Sequence, residues 1–176
     1  MANRVFVIAD THFGHKQVIN FESEHRPFTT IQKHDAELVY RWNSVVNKKD
    51  TVWHLGDVLF GREAFATLGL LNGVKKLVMG NHDKYPSHLY LEHFNQIVGS
   101  VKLRDCILTH IPIHPDQFRR SKFNIHGHMH GNKLDDPRYI NVSCENTGLA
   151  PVLLDTVINN ANLMKIGNEN YERKTA

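Results

Sequence analysis

The sequence predicts an α/β fold in which two β-sheets pack as a sandwich flanked by helices. In the first half of the chain, short apolar runs alternate with segments of helical periodicity, which is typical of sheets built from parallel strands. In the second half, strand-like runs follow one another with short turns, such as the turn at Arg104-Asp105. No repeat, low-complexity tract or linker divides the 176 residues. We therefore expect a single domain over residues 1–176.

Five apolar or β-branched runs are predicted to be strands. A strand that is buried on both faces reads as a continuous apolar run and delivers polar residues at its carboxyl end. Most of these runs do end in polar residues. The predicted strands are Val5–Ala9, Thr51–Leu55, Lys75–Met79, Cys106–Thr109 and Ile140–Cys144.

Four segments are predicted to be helices. The first carries its apolar residues on one face and begins with a capping-box sequence, Thr29-Thr30-Ile31-Gln32. The second is expected to stop near Asn72-Gly73. The chain beyond the fourth helix, residues 167–176, is expected to fray. The predicted helices are Ile31–Asn47, Arg62–Leu71, Tyr90–Phe94 and Asp155–Ile166.

The composition excludes several classes of protein. Lys and Arg total 21 against 18 Asp and Glu, and this formal charge of +3 is too small to indicate a nucleic-acid coat or a membrane surface, although it suits an anionic substrate. The sequence has no charged leader before an apolar region and no membrane span of roughly 18 apolar residues, so we expect a cytoplasmic protein. Cys106 and Cys144 lack the spacing of a zinc ribbon and are predicted to be reduced core thiols.

Clusters of His, Asp and Asn follow the predicted strands. The chain has 13 histidines, and several of them stand in these clusters. Since ligands bind at the carboxyl ends of strands in open α/β sheets, the clusters can meet in space. Carboxylate, imidazole and amide ligands suit Mn, Fe, Zn, Ni or Co better than calcium or copper(I). The clusters are Asp10-x-His12, Gly56-Asp57, Gly80-Asn81-His82-Asp83, His110 and Gly127-His128-Met129-His130.

The longer motifs are the informative ones. Asp-x-His and Gly-Asp are each expected about 0.6 to 0.7 times by chance in this composition, so neither is evidence by itself. Gly-His-x-His is expected about 0.06 times and Gly-Asn-His-Asp about 0.004 times. Any single residue has a commoner explanation, such as an Asp that caps a turn or a histidine satisfied in the core. The joint occurrence of the motifs, in order and behind apolar runs, favours a metal site.

This order of motifs resembles the calcineurin-like metallophosphoesterase superfamily, whose motifs run Asp-x-His, Gly-Asp, Gly-Asn-His-Asp/Glu, His and Gly-His-x-His. The match spans positions 10 to 130. The resemblance implies a four-layer αββα sandwich of two mixed sheets flanked by helices. Three segments are similar, more narrowly, to a group of small bacterial and phage predicted phosphoesterases: Asp10-Thr11-His12-Phe13-Gly14-His15, Arg26-Pro27-Phe28 and His54-Leu55-Gly56-Asp57.

The resemblance also implies two divalent transition-metal ions, with manganese favoured and Fe, Zn, Ni, Co or Mg as alternatives. Asp57 would bridge them, since a carboxylate can span cations about 3.5 to 4 Å apart. A water activated between the ions would attack phosphorus, and His82 would stabilise the transition state or protonate the leaving group. Gly127, which has no Cβ, would allow close backbone approach. The implied ligands are Asp10, His12 and His130 for one ion and Asn81, His110 and His128 for the other.

Further residues are candidates for contacts around the ligands or with substrate. Arg26 and Arg62 follow the first two motifs and would either clamp a substrate phosphate or form exposed ion pairs. Asp83 would either orient His82 or cap a helix. His126 is predicted to be structural, because strand alternation turns it away from the site. The remaining candidates, which would contact the ligands, are His15, His54 and His114.

The resemblance implies hydrolysis of a small phosphodiester or phosphomonoester, with nucleotides among the candidate substrates. A phosphodiester is favoured, because small members of the superfamily often show phosphodiesterase activity. Its protein Ser/Thr phosphatases carry Asp-Arg-Gly after Gly-Asp, whereas here Gly56-Asp57 is followed by Val58-Leu59-Phe60-Gly61-Arg62. This departure argues against phosphoprotein substrates. Two alternatives stay open: a catalytically silent, metal-supported scaffold that binds a protein, and a nuclease, which the near-neutral charge disfavours. The sequence does not predict the oligomeric state.

Overall fold

A mixed five-stranded sheet lies at the centre of the computed structural model, which describes residues 3–163. Four of its strands are parallel: β1 (Val5–Ile8), β2 (Thr51–His54), β3 (Val74–Val78) and β4 (Gln96–Val98). The fifth, β9 (Val152–Leu153), runs antiparallel to β1. The strand order is β4-β3-β2-β1-β9, so β1, β2 and β3 are internal.

A second sheet of four strands packs on the first. Its strands are β5 (Val101–Leu103), β6 (Cys106–Leu108), β7 (Phe123–His126) and β8 (Tyr139–Asn141), in this order across the sheet. β5 and β6 form an antiparallel hairpin, whereas β6, β7 and β8 are parallel. The hairpin turn at Arg104-Asp105 is the one that the sequence predicts.

Helices surround the sheets, and α2, with 15 residues, is the longest helix within residues 3–163. The N-cap of α2 is Thr30, whose hydroxyl accepts a hydrogen bond from the Lys33 N–H at 3.3 Å. The cap is therefore one residue later than the predicted capping box. The α-helices are α1 (Val18–Phe21), α2 (Ile31–Val45), α3 (Phe65–Leu68), α4 (Ser87–Leu91) and α5 (Cys144–Thr147); residues 154–163 are also helical, and Arg62–Ala64 and Pro115–Gln117 are 3-10 helices.

Side-chain alternation in the first sheet produces two hydrophobic cores. Phe6, Val52 and Leu77 face the helical side, where they pack in one cluster with residues of α2, α3 and α4. Val7 and Trp53, on the opposite face, pack in a second cluster with residues of β6 and β7. Burial on both faces explains why these strands are apolar throughout. The prediction of two mixed sheets flanked by helices is confirmed.

Segment 111–118 covers part of the outer face of the second sheet. The Tyr139 hydroxyl donates to the Ile113 carbonyl at 2.7 Å, and the Ile113 N–H donates to the Asn124 side chain at 3.1 Å. The Phe118 ring packs edge-on against Tyr139 with 5.1 Å between ring centroids. On this part of the sheet, the covering segment is therefore connecting chain with the 3-10 helix Pro115–Gln117.

Several predicted boundaries need correction. The strand predicted over Ile140–Cys144 ends at Asn141, because Cys144 begins α5. The helix predicted over Arg62–Leu71 is a 3-10 turn followed by one turn of α-helix, and the helix predicted over Tyr90–Phe94 begins earlier, directly after Pro86. The helix predicted over Asp155–Ile166 is described only as far as residue 163. The tail 167–176, which is predicted to fray, lies wholly outside the described residues.

Two other expectations concern the chain's chemistry and its apolar segments. Cys106 and Cys144 are both buried free thiols, as predicted. Within residues 3–163, none of the helices combines the length and the apolar character that crossing a membrane requires.

Leu77 tests the packing between the first sheet and its helices, because its side chain is fully buried on β3. Leu77→Ala should lower the free energy of unfolding by about 2–5 kcal/mol, since it removes buried apolar surface and leaves a cavity. Val74→Ala, on an exposed position of the same strand, should cost less than about 1 kcal/mol. Urea unfolding measures both values, and equal costs would contradict this description of the core.

Candidate metal centre

The predicted motifs meet at the carboxyl ends of the strands of both sheets. In the first sheet, the Asp10 N–H donates to the Gly56 carbonyl at 3.0 Å, which joins the turns after β1 and β2. In the second sheet, the Gly127 N–H donates to the His110 carbonyl at 2.9 Å. The two sheets are joined where the His128 N–H donates to a carboxylate oxygen of Asp10, also at 2.9 Å. The turn after β3 joins them through the Asp57 N–H, which donates to the Asp83 carboxylate at 2.9 Å. The five sequence motifs therefore form one connected site.

The first ligand group consists of Asp10, His12 and His130. One potential ligand atom from each of these residues lies within 4.8 Å of the other two. Asp10 Oδ1 and His12 Nε2 are 3.8 Å apart, and both atoms are buried without a hydrogen-bond partner among residues 3–163. A buried polar atom left unpaired costs about 1–3 kcal/mol. A divalent cation between these atoms would satisfy both of them, so the residues fit a metal ion.

The second ligand group consists of Asp57, His110 and His128, whose potential ligand atoms also lie within 4.8 Å of one another. The His110 Nδ1–H donates to the Leu55 carbonyl at 2.7 Å, which leaves Nε2 free to face the group. That nitrogen lies 3.4 Å from Asp57 Oδ1 and 2.9 Å from the side-chain oxygen of Asn81. Electron-rich atoms this close require a proton or a cation between them. Asn81 therefore adds an amide oxygen to the second group.

Asp57 lies between the two groups. Its Oδ1 faces His110, whereas its Oδ2 is 3.9 Å from His12 Nε2 in the first group. The backbone N–H of His82 donates to Oδ1 at 2.9 Å and holds the carboxylate in this orientation. Each oxygen of one carboxylate is thus directed at a different ligand group.

The electrostatics favour the metal-binding protonation state at the two carboxylates and at two of the four histidines. Burial by itself raises the pKa of Asp10, but His12 and other histidines nearby outweigh burial and hold this pKa below its usual value. For Asp57, burial acts in the same direction, and His110 likewise holds the pKa below the ordinary value. Burial lowers the pKa of His12 and of His128, which favours neutral rings with a free lone pair. Burial acts in the same direction on His110 and His130, but the carboxylates of Asp57 and Glu145 outweigh it and raise the pKa of these two rings. Ionised carboxylates and neutral imidazoles are the protonation states that bind metals.

Five of the candidate ligands have a left-handed backbone, which L-residues rarely adopt. Each such residue costs of order 1–3 kcal/mol, and strain of this kind is concentrated at functional sites. The residues and their φ angles are Asp10 (58°), His12 (51°), Asp57 (56°), His128 (69°) and His130 (48°).

Two glycines make room for the carboxylates. A Cβ at Gly127 would lie 2.5 Å from Asp10 Oδ2, and a Cβ at Gly80 would collide with Asp57 Oδ1. Both positions are closer than van der Waals contact allows, so any side chain at either glycine would displace a carboxylate from its ligand group. The close backbone approach predicted at Gly127 is confirmed.

His82 and His15 lie beside the groups, at the open side of the site. The His82 side chain is 43% exposed, and its Nε2 is 4.0 Å from Asp57 Oδ2. His15 stacks on Phe60 with ring centroids 3.9 Å apart, and its Nδ1 is 3.2 Å from His12 Nδ1. Burial lowers the pKa of His15 to about 4, so this ring is neutral at pH 7.

Asp83 supports the turns and has neither of its two predicted roles. One oxygen accepts hydrogen bonds from the N–H groups of Asp57 and Gly80 at 2.9 and 2.8 Å, and the other accepts from Val58 at 2.9 Å. The carboxylate therefore fixes two motif turns relative to each other. It neither orients the His82 ring nor caps a helix.

His54 connects the first two motif turns through its ring. Its Nδ1 accepts from the Gly56 N–H at 3.2 Å, which places the ring proton on Nε2, 2.9 Å from the Thr11 hydroxyl. That hydroxyl donates onward to the Val58 carbonyl at 2.8 Å. Burial lowers the pKa of His54 to about 3. The neutral ring is thus part of the support of the site.

Arg26 requires a correction, because its side chain is wholly buried. It donates to the carbonyls of Asp10 and Thr11 at 2.5 and 3.1 Å and forms an ion pair with Glu145 at 2.7 Å. It is therefore neither a clamp for a substrate phosphate nor an exposed ion pair. Glu145, which also lies 3.1 Å from His130 Nδ1, is a residue that the sequence reasoning missed. Its position just after a predicted strand was the available signal.

The remaining candidates lie outside the two ligand groups. Arg62 is exposed at the start of a 3-10 helix. His114 is exposed and precedes the other 3-10 helix, 3.6 Å from Asp116. His126 is buried, and its ring donates to the Gly127 carbonyl at 2.8 Å, in keeping with the predicted structural role.

The neutral state of His54 predicts how stability depends on pH. An unfolded histidine has a pKa near 6.5, whereas that of folded His54 is about 3, so the unfolded chain takes up the proton first as pH falls. The stabilisation is complete above pH 6.5 and is lost toward pH 3, at about 1.4 kcal/mol per pH unit. In EDTA, the unfolding free energy of the unaltered protein should decrease between pH 6 and pH 4. In His54→Gln the decrease should be less steep, by about 1.4 kcal/mol per pH unit. Identical slopes in urea unfolding series would contradict the role of His54.

Comparisons with known proteins agree with this geometry. The Calcineurin-like phosphoesterase family model matches residues 3–170. Uncharacterized protein MJ1445 of Methanocaldococcus jannaschii is 32% identical over 166 residues, which cover 88% of this chain and 89% of that protein. The Gene 66 protein of Mycobacterium phage L5 is 30% identical, and the match covers 74% of this chain and 78% of that protein.

A solved structure is also similar to this chain. The crystal structure of AQ665 from Aquifex aeolicus, a protein of unknown function, has a TM-score of 0.74 at 26% identity, and the match covers 90% of this chain and 99% of that one. The chain belongs to the calcineurin-like phosphoesterase family.

Proposed function

We propose that this phosphoesterase hydrolyses a small phosphate ester with two divalent cations that share Asp57. The observation that carries the proposal is the orientation of this carboxylate, whose Oδ1 is 3.4 Å from His110 Nε2 and whose Oδ2 is 3.9 Å from His12 Nε2. A carboxylate held between two sets of ligand atoms suits a bridging role. The buried atoms of Asp10 and His12, which have no partner within the described part of the chain, support a cation in the first group.

The first group would hold one cation, and the second group, completed by Asn81, would hold the other. When bound, such cations supply Lewis-acid polarisation of the phosphoryl oxygens and activation of water. The donor set of carboxylate, imidazole and amide suits borderline divalent ions. Manganese is the ion that we favour, and Fe, Zn, Ni, Co or Mg are compatible alternatives.

His82 would act on the leaving group. Its ring is partly exposed and lies 4.0 Å from Asp57, so it can reach a bound ester without being needed as a ligand. Its backbone N–H is fixed by Asp57 at 2.9 Å, which sets the position of the ring relative to the ligand groups. From there, the imidazole can stabilise charge on a phosphoryl oxygen or donate a proton to the departing oxygen.

A small phosphodiester is the substrate class that we favour. His128, Asn81 and His82 are all exposed, so a substrate can approach the second group directly from solvent. The chain lacks the Asp-Arg-Gly continuation of the protein phosphatases, and the formal charge of +3 gives no strong attraction for a nucleic-acid strand. A silent scaffold would not need an exposed His82 beside an intact ligand set.

His82→Ala should lower kcat on bis-p-nitrophenyl phosphate by about 10²- to 10⁴-fold, because it removes the proton donor. The bound metal should be unchanged, since the ring is not a proposed ligand. His88→Ala is the matched control, because His88 is an exposed histidine on α4, and its activity should equal that of the unaltered protein. Steady-state rates with Mn²⁺ and elemental analysis of each purified protein provide the measurements.

Removal of metal by EDTA should abolish the activity, and Mn²⁺ should restore it. A screen that includes p-nitrophenyl phosphate and a single-stranded oligonucleotide distinguishes the diesterase from a monoesterase and from a nuclease. If the protein retains no transition metal and hydrolyses none of these esters with any added ion, it is not the enzyme proposed here.

A further inference from the structure

Arg26 and Glu145 form an ion pair whose two side chains are completely buried, although the residues are 119 positions apart in the sequence. The Nε and Nη2 atoms of Arg26 each lie 2.7 Å from Glu145 Oε1. A buried pair of this kind is weak evidence for stability, because desolvation offsets much of the attraction between the charges. The position of the pair is more informative, since it lies directly behind the first ligand group.

The Arg26 guanidinium supports the turn that carries two ligands of that group. It donates to the carbonyls of Asp10 and Thr11 at 2.5 and 3.1 Å. Both Asp10 and His12 have a left-handed backbone in this turn, with φ of 58° and 51°. Five N–H donors in a rigid plane allow one arginine to satisfy several inward-facing acceptors at once. Arg26 therefore holds the strained turn in place from the inside.

Glu145 supports the third ligand of the group from the other side. Its Oε1 is 3.1 Å from His130 Nδ1, a hydrogen bond that places the ring proton on Nδ1. The lone pair is then on Nε2, on the side of the ring away from Glu145. A carboxylate behind a metal-binding imidazole fixes the ring and increases its basicity. Glu145 also belongs to α5, so the ion pair connects the Arg26 segment, near the start of the chain, with a helix near its end.

The second group is oriented by different means. The proton on His110 Nδ1 is held by a backbone carbonyl, that of Leu55, at 2.7 Å. The turn that carries Asp57 is fixed by Asp83, through the N–H groups of Asp57 and Val58. Removal of the Glu145 charge should therefore act on the first group and spare the second.

The carboxylates of Glu22 and Glu145 offer a competing explanation, because with His130 they form a third set of potential ligand atoms within 4.8 Å. One oxygen of Glu145 also lacks a partner in the described chain. However, Arg26 already neutralises Glu145, and a cation at His130 Nδ1 would have to displace the ring proton. The nearest Glu22 oxygen is 3.7 Å from that nitrogen, compared with 3.1 Å for Glu145. The contacts favour a support for His130 over a third metal site.

We propose that Arg26 and Glu145 are a positioning pair that assembles the first ligand group, by fixing the turn of Asp10 and His12 and the ring of His130. This inference rests on the proposed function, because it requires a cation in that group. Neither residue touches the substrate. The pair determines how tightly one of the two cations is held.

Glu145→Gln tests the pair, because it preserves the size of the side chain and removes its charge. Calorimetric titration with Mn²⁺ should give two binding steps for the unaltered protein, one of which weakens about 10- to 100-fold in the variant. At equal loading, electron paramagnetic resonance should change from coupled manganese pairs to isolated Mn²⁺. Glu145→Asp keeps the charge and should recover part of the affinity. Glu22→Gln is the matched control and should bind both ions normally, with folding of each variant verified by urea unfolding.

A measurement on the unaltered protein keeps the test independent of whether Glu145→Gln folds. With Zn²⁺ bound, nitrogen-15 NMR of the His130 ring should show the proton on Nδ1 and the metal on Nε2. Metal at Nδ1, a third cation lost in Glu145→Gln, or two unchanged binding steps in that variant would each overturn the inference while leaving the proposed function intact. Failure of the unaltered protein to bind any cation would instead overturn the proposed function.

Discussion

The site depends on the left-handed backbone at the turns that carry its candidate ligands. Five of these residues have φ between 48° and 69°, and conformations of this kind persist only when the surrounding contacts over-determine them. Asp83 holds the turns after β2 and β3, and Arg26 holds the turn after β1. Gly80 and Gly127 leave the space in which the carboxylates lie. The hydrogen bonds of Asp83 and Arg26 therefore stabilise these turns in a left-handed backbone conformation that the residues rarely adopt.

The two-sheet architecture explains why the ligands come from so many parts of the chain. Parallel β1, β2 and β3 present their following turns at one edge of the first sheet, and β6 and β7 do the same in the second. The hydrogen bond from the His128 N–H to Asp10 joins the edges at the centre of the site. A rigid pair of packed sheets can hold ligand atoms in place before any cation binds, and such preorganisation reduces the cost of binding.

The sequence predicted what depends on local pattern and missed what depends on distant contacts. Apolar runs that end in polar residues located the turns of Asp10, Asp57 and His110, and strand alternation predicted the structural role of His126. The ion pair of Arg26 and Glu145 was not predicted, because no periodicity or motif relates residues 119 positions apart. Edge strands such as β4 and β9 were also missed, since two or three residues paired to a neighbouring strand leave too little pattern.

Anomalous diffraction from crystals soaked in manganese tests the central claim most directly, since it locates the ions without reference to activity. Two peaks are predicted, one among Asp10, His12 and His130 and one among Asn81, His110 and His128, with Asp57 in contact with both. A single peak, or two peaks that do not share Asp57, would contradict the account of the site.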